Sequence, residues 1–175
     1  STTNNQWVQI YRLITLFDTS TISTDDISSA TWSIYAISKS TNAGGGNNHN
    51  VYSATTAANN DIVNGDITLT SFGSTTFSTG ITTTNITTSA YNDYAFNASG
   101  LAAINKTGIS KFGFLMEADV TGSAPTNNNN GVADFDRVEC SAADTAGTAQ
   151  DPKLVVVHGA ATTTDGNFFM FMDRR

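Results

Sequence analysis

The sequence contains few charged residues, and this scarcity already limits the fold. Asp, Glu, Lys and Arg make up 13% of the chain, and only two of these residues are glutamates. A typical soluble domain is about one quarter charged. In their place the chain carries 28 Thr, 18 Asn and 17 Ser. Because strong helix formers are rare while β-branched and turn-forming residues are abundant, the composition predicts an all-β domain.

The chain also lacks positive charge and long apolar runs. Its net charge is -7, with 15 acidic and 8 basic residues. A surface of this sign repels phosphate backbones and anionic lipids, so we expect neither nucleic-acid binding nor membrane binding. No apolar run approaches the roughly 20 residues that a transmembrane helix needs.

Cysteine and histidine are equally scarce. Cys140 is the only cysteine, so an internal disulfide is excluded. A catalytic thiol needs a neighbouring base, and only His49 and His158 are available. We therefore interpret Cys140 as a small buried hydrophobic residue. The N-terminal residues lack the basic and apolar regions of a secretory signal peptide, and the sequence is expected to have no leader of that type.

Short strands separated by Gly, Asn, Asp and Ser turns dominate the pattern. The clearest is 29–38, where Ala30, Trp32, Ile34 and Ala36 alternate with polar residues. A single helix of about two turns is expected at 99–106. The other predicted strands are 6–17, 51–55, 66–72, 75–81, 82–89, 91–98, 110–120, 131–141, 153–158 and 167–172. This spacing predicts an antiparallel, jelly-roll-like β-sandwich over residues 1–158 with at most one short helix, followed by a linker and tail over 159–175.

Two stretches of the sequence resemble a known family. The segment 11–35 (YRLITLFDTSTISTDDISSATWSIY) contains Arg12 on a strand, Phe17-Asp18, and Ser29-Ala30-Thr31-Trp32-Ser33-Ile34-Tyr35. The segment 151–157 (DPKLVVV) is similar to the family's last strand. Together with 91–120 they resemble a DNRLRE-type domain, also described as a carbohydrate-binding-module-like or TGF-β-propeptide-like β-sandwich.

The resemblance covers about residues 6–158. It implies a non-catalytic, jelly-roll-like module displayed outside cells on enzymes, adhesins or phage particles. The chain departs from the family pattern in its Thr- and Asn-rich middle and in the tail after the last strand, and no binding residue is carried over.

The acidic residues offer two kinds of candidate site. Asp18, Asp134, Asp136 and Asp144 lie in or beside acidic loops and are the calcium-ligand candidates, although EF-hand spacing is absent. Turn capping and solvation explain the same residues equally well. A glycosidase needs two carboxylates facing one bond. Its candidates are Glu117, Asp119, Asp134, Asp136 and Glu139, which a solvated strand face also explains. We expect no enzyme activity and no cofactor, with structural calcium left open.

Aromatic residues supply candidates for sugar binding, because sugar rings pack their C–H faces against aromatic rings. The candidates are Trp7, Tyr52 and Tyr91. The alternative is that these side chains fill the core, as sandwiches require large inward residues.

The C-terminal tail is the most unusual local feature. Residues 167–172 read NFFMFM and end before three charged residues. An exposed segment of this kind promotes aggregation. We expect it to contact a partner in preference to its own domain, so the predicted interface residues are Phe168, Phe169, Met170, Phe171 and Met172.

Together these features predict a surface-displayed structural or adhesion module. The first hypothesis is a virion surface protein, such as a phage capsid decoration or a tail or fibre component. It would assemble through its termini with copies of itself or with a capsid or tail scaffold protein. The alternative is a carbohydrate-binding module of a secreted bacterial polysaccharide-degrading enzyme or adhesin, with a cell-surface glycan as its partner. The corresponding location is the virion surface or the extracellular space.

Overall fold

Eight strands in two antiparallel sheets form the described part of the chain. The computed structural model describes residues 9–42, 46–123, 136–143, 147 and 149–161. The strands are β1 (Leu13–Asp18), β2 (Asp26–Thr41), β3 (Asn48–Ser53), β4 (Ile81–Thr82), β5 (Ala90–Ala95), β6 (Ile109–Met116), β7 (Asp136–Cys140) and β8 (Lys153–Gly159). The first sheet has the order β1-β6-β3-β4. In the second sheet β5 lies on one side of β2, while β7 and β8 share its other side. The predicted all-β sandwich is confirmed.

The sixteen-residue strand β2 organises the second sheet. The alternation of apolar and polar residues in this strand predicted one buried face, and Ala30, Trp32, Ile34 and Ala36 are all buried. The strand is longer than expected, and its register shifts at 27/29 and again at 36/38. Such irregularities bend a strand. They lie on the pairings with β8 and β7, which occupy successive parts of the same edge of β2.

An aromatic core joins the two sheets. Trp32 of β2 stacks on Phe114 of β6 with ring centroids 5.2 Å apart, and Tyr94 of β5 packs edge-on against both rings. Phe112 is fully buried and contacts Phe77 and Phe96 in the same way. Phe112 and Phe114 are two residues apart along β6, so their side chains lie on the same face of the sheet.

The segment between β3 and β5 corrects the sequence prediction. Residues 66–72 form two 3₁₀ turns, Asn64–Ile67 and Leu69–Ser71, in place of a strand. The Asp66 carboxylate accepts the backbone N–H groups of Ala57 and Val63, which stabilises a turn instead of an extended chain. The predicted strands 75–81 and 82–89 reduce to β4 and a 3₁₀ turn at Thr83–Asn85.

Helical structure also departs from expectation. The described residues contain two short α-helices, α1 (Ala98–Ala102) and α2 (Glu117–Thr121), where at most one was predicted. The cap of α1 is Asn97, whose side chain accepts the N–H of Gly100 at 3.0 Å, so the helix begins one residue before the predicted range 99–106. The strand predicted over 110–120 ends at Met116, and α2 then places Asp119 beside Arg12. No helix in the described ranges is long and apolar enough to cross a membrane.

Several predicted boundaries also move. β1 starts at Leu13 instead of residue 6, whereas 6–8 lie outside the described residues. β3 begins at Asn48, three residues before the start of the predicted strand 51–55, and ends at Ser53. β8 extends through Gly159, the residue assigned to the linker, and the tail strand 167–172 lies outside the described residues.

Candidate functional site

A cleft of about 200 Å³ opens between the two sheets. One wall comes from β1, β3 and β6 of the first sheet, and the other comes from β7 of the second. Tyr11, Leu13, His49 and Phe114 line the first wall, and Asp136, Val138 and Cys140 line the second. We refer to this space as the β1–β7 cleft.

His49 is the buried polar side chain of the cleft. It lies on the inner face of β3, and its ring stacks on Phe114 at 5.5 Å with a 25° interplanar angle. Burial lowers its pKa to about 4, against opposing effects from a backbone hydrogen bond of Ile81 and the charge of Asp136. The imidazole is therefore neutral at neutral pH. Its Nδ1 atom has no hydrogen-bond partner among the described residues.

Asp136 brings a buried carboxylate to the opposite wall. Only 4% of the residue is exposed. Asn47 donates its side-chain amide to the Asp136 Oδ2 atom at 2.6 Å. A carboxylate that accepts such a bond is held in one orientation, so the cleft combines a fixed acceptor with a neutral imidazole.

The cleft does not contain an activated thiol. Burial raises the pKa of Cys140 to about 12, so the thiol stays protonated at neutral pH. His49 Nδ1 has no partner, and no His–Cys hydrogen bond involves that atom. Cys140 is half-buried and lines the cleft, so it is less enclosed than the small buried hydrophobic residue that the sequence predicted.

Tyr11 stands at the mouth of this cleft with 63% of its surface exposed. An exposed ring beside a largely apolar cleft with a few polar groups is typical of sites that bind a molecule with both apolar faces and hydroxyl groups. Sequence analysis missed both Tyr11 and His49. His49 is two residues before Val51, a spacing that places both side chains on one face of a strand. The Gly- and Asn-rich residues before Val51 are typical of a loop, and the strand was therefore predicted to start too late.

A second polar cluster lies on the outer face of the first sheet, under the segment between β3 and β4. Arg12 donates from Nε and Nη2 to both Asp119 oxygens at 2.6 and 2.8 Å and from Nη1 to the Ile67 carbonyl at 2.9 Å. Glu117 accepts the side-chain amides of Asn48 and Asn50, each at 3.2 Å. These bonds are internal, so the cluster ties α2 and the covering segment to the sheet.

The glycosidase candidates do not converge. Glu117 and Asp119 are engaged in that cluster on the first sheet. Glu139 accepts the Ser38 hydroxyl at 2.6 Å on an exposed part of the second sheet. Asp136 alone lines the β1–β7 cleft, and Asp134 lies outside the described residues.

The calcium candidates are likewise separated. Asp18 pairs with Ile109 at the start of β6, whereas Asp136 bonds Asn47 beside the strand end at Met116. An eight-residue strand spans roughly 25 Å, so these two carboxylates do not share one ion. The Ser20 side chain, and to a lesser extent its backbone N–H, lower the pKa of Asp18 by hydrogen bonding to the carboxylate. Asp134 and Asp144 lie outside the described ranges, within which no group of three or more His, Cys, Asp or Glu residues is placed to hold a metal.

Two of the aromatic sugar-binding candidates are described, and neither forms an open platform. Tyr52 is wrong as a candidate because only 1% of it is exposed, on the covered face of β3. Tyr91 lies under the Lys153 ammonium, which is 3.7 Å from the ring centroid, and its hydroxyl is 3.1 and 3.0 Å from the carbonyls of Ala149 and Asp151. That face of the ring is therefore occupied by the chain itself. Trp7 is outside the described residues.

The outer face of β8 carries the clearest exposed apolar side chains in the second sheet. Val155 and Val157 are 53% and 54% exposed, beside Thr31 and Ser29 of β2. Among the described residues β8 pairs with β2 alone. We use the name β8 edge for the side of β8 that faces away from β2, together with the exposed side chains of Val155 and Val157. The predicted interface residues Phe168, Phe169, Met170, Phe171 and Met172 follow it in the chain and lie outside the described residues.

Comparisons with protein-family models, with curated proteins and with solved structures found no match to this chain. The likeness to DNRLRE-type domains therefore stays a prediction from the sequence.

Proposed function

We propose that this chain is a non-enzymatic structural or adhesion module displayed on a particle surface, as in a phage capsid decoration or a tail or fibre component. In this proposal it assembles through its terminal segments with copies of itself or with a capsid or tail scaffold protein. Its location is then the virion surface, or the extracellular space if it belongs to a secreted protein.

The β8 edge is the observation that carries this proposal. An edge strand with exposed β-branched side chains is a ready template for another chain, and monomeric proteins commonly protect such edges. Seven residues after the end of β8 the sequence carries the apolar segment 167–172, so two features of the C-terminal region favour assembly. Among the described residues the β1–β7 cleft holds no activated thiol, since burial raises the pKa of Cys140 to about 12.

The proposed location is tested by immunogold electron microscopy on intact particles released from the source organism. Antibodies raised against the folded chain are expected to label the outside of the particles. Labelling confined to the particle-free supernatant would contradict display on a particle. A preparation labelled with pre-immune serum is the control.

Glycan recognition is the second candidate function, and exposed Tyr11 at the mouth of the β1–β7 cleft favours it. In this reading the ring packs on a sugar face, while His49 and Asp136 accept sugar hydroxyls. A glycan array probed with the whole chain tests the idea. Tyr11→Ala should abolish any hit, whereas Ile62→Ala, a truncation of an exposed side chain outside the cleft, should leave it unchanged. An array without hits, or a hit insensitive to Tyr11→Ala, would refute this role for the cleft.

A further inference from the structure

The β1–β7 cleft has the size of a single ring. Its volume is about 200 Å³. An apolar cavity of about 150 Å³ is enough to bind benzene, whereas pockets for drug-sized ligands begin at about 300 Å³. The cleft therefore fits one six-membered ring with small substituents and is too small for an extended chain.

The walls of the cleft are largely apolar. Leu13 and Phe114 line one wall, and Val138 lines the other. Among the described lining residues, the buried polar side chains are His49 on the first wall and Asp136 on the second. A hydroxyl group buried without a partner is unfavourable, so a ring that enters this space must be apolar over most of its surface.

One nitrogen of the His49 imidazole lacks a hydrogen-bond partner among the described residues. His49 is only 4% exposed, and its Nδ1 atom is buried and unpaired. A neutral imidazole has one donor and one acceptor nitrogen. Because a hydroxyl group both donates and accepts, it pairs with Nδ1 in either tautomer. An ordered water usually needs two to four polar partners, and the Phe114 ring stacked on His49 offers none, so a hydroxyl group carried on an apolar ring suits this position better than water.

The charges around the cleft disfavour an anionic ligand. Asp136 is a buried carboxylate, and burial lowers the pKa of His49 to about 4, so the imidazole carries no positive charge at neutral pH. Arg12 is already paired with Asp119 at 2.6 Å. Arg137 is exposed and alternates with the buried Asp136 along β7, which places its side chain on the other face of the strand. A negatively charged ligand would therefore be buried without a counter-ion.

We propose that the β1–β7 cleft binds one six-membered ring that is mostly apolar, carries no negative charge and places a hydroxyl group against His49. The ring of Tyr11, exposed at the mouth, packs against the outer part of this ligand. The inference goes beyond the proposed display on a particle and does not require assembly. Two sources supply this chemistry: a phenol-type small molecule, or a deoxy sugar at the end of a glycan. In the second case the inference narrows the glycan candidate to chain ends.

The first experiment measures ligand binding to the full-length chain at neutral pH by fluorine NMR. The probes are 4-fluorophenol, fluorobenzene and 4-fluorobenzoate, which share one ring and differ in their polar group. We expect 4-fluorophenol to bind roughly tenfold more tightly than fluorobenzene, because its hydroxyl group pairs with an otherwise unpaired buried nitrogen. The benzoate should bind most weakly. Equal affinities of the phenol and fluorobenzene, or tightest binding of the benzoate, would overturn the proposed ligand class.

Two variants locate the site. His49→Phe retains an aromatic ring against Phe114 but removes both ring nitrogens, so the preference for 4-fluorophenol over fluorobenzene should disappear. Val138→Phe fills the cleft from the opposite wall and should abolish the binding of both probes. The matched control is His158→Phe, the same substitution on β8 outside the cleft, which should change neither result. Circular dichroism verifies that each variant is folded.

A sugar series separates the two sources of the ligand. Methyl α-L-fucoside and methyl α-L-rhamnoside are compared with methyl α-L-galactoside and methyl α-L-mannoside, which carry one more hydroxyl group. An apolar pocket rejects an added hydroxyl group by up to about 100-fold, so a site for glycan ends should prefer the two deoxy sugars. Binding of a deoxy sugar that is lost in His49→Phe supports the glycan source. Binding of 4-fluorophenol alone, with the same dependence on His49, supports the small-molecule source.

The outcomes separate this inference from the proposed function. A chain that binds none of the probes, or binding that survives both His49→Phe and Val138→Phe, would overturn the inference. Immunogold labelling tests display on a particle independently of the cleft. Labelled particles together with an empty cleft would leave display standing and remove the binding site.

Discussion

Replacing Thr15 by valine tests how the two sheets are held in register at the centre of the core. Trp32 is fully buried, and its indole Nε1–H donates to the Thr15 Oγ1 atom at 3.0 Å. Thr15 lies on β1 of the first sheet and Trp32 on β2 of the second. Valine has nearly the shape of threonine but offers no acceptor, so the substitution leaves the indole N–H unpaired without opening a cavity.

The expected loss follows from that unpaired donor. A buried polar group without a partner costs about 1–3 kcal/mol. The Thr15 hydroxyl also approaches the Phe112 carbonyl, but at 3.4 Å this bond is long and contributes less. Since 1 kcal/mol shifts the midpoint by about 2–4 °C in a chain of 150–250 residues, Thr15→Val should lower the melting temperature by roughly 3–10 °C.

Thermal and urea unfolding of Thr15→Val and four further variants provide the test. Thr15→Ser retains the hydroxyl and should recover most of the stability. In a Trp32→Phe background the indole N–H is gone, so Thr15→Val should cost almost nothing further. Thr31→Val, on the opposite face of β2, is the control for a change of threonine to valine in a strand. Equal losses in the wild-type and Trp32→Phe backgrounds would refute the proposed role of this hydrogen bond.

Three further predictions concern single sites. His49 has a pKa of about 4 in the folded chain, below its ordinary value of 6.5, so between these two values only the unfolded chain takes up the proton. Stability should therefore fall by about 3 kcal/mol as the pH drops from 6.5 to 4, and His49→Gln should flatten that part of the pH profile of the unfolding free energy. Gly113→Ala should destabilise the fold by about 1–3 kcal/mol in urea unfolding, because a Cβ there would lie 2.3 Å from a ring atom of Phe72. A loss below the experimental error would show that the ring moves freely. Cys140 should react with a disulfide reagent much more slowly in the native chain than in urea, since burial raises its pKa to about 12; equal rates would contradict this.

The strands that line the core were the predictable part of the fold. Alternation at 29–38 identified the buried face of β2 with its true residues, whereas β6 is buried on both faces, because Gly113 and Leu115 are buried as well as Phe112 and Phe114. Side-chain period and burial are linked directly by the pleat, so the pattern is visible without any tertiary contact. The predictions were wrong in the polar stretch 66–89, where a Thr-rich composition suggested strands. The Asp66 carboxylate accepts two backbone N–H groups and stabilises a turn at the start of this stretch. Composition does not show which backbone groups a side chain will bond.

The candidate sites were less predictable. Sequence reasoning offered Tyr52 as a sugar platform, yet the segment between β3 and β4 covers that face of the first sheet. It treated His49 as part of a loop, although β3 carries the side chain into the space between the sheets. Both errors arise because exposure depends on which segments cover a face.

By itself the sequence determined the strand-rich class, the acidic surface and the inward residues of the longest strands, because these follow from composition and local periodicity. Only the tertiary structure decided that Arg12 meets Asp119 across 107 positions, that His49 faces Asp136 in a cleft, and that β8 lies at an edge. The physical reason is that such contacts join residues remote in the chain, and their free energy depends on how the two sheets pack.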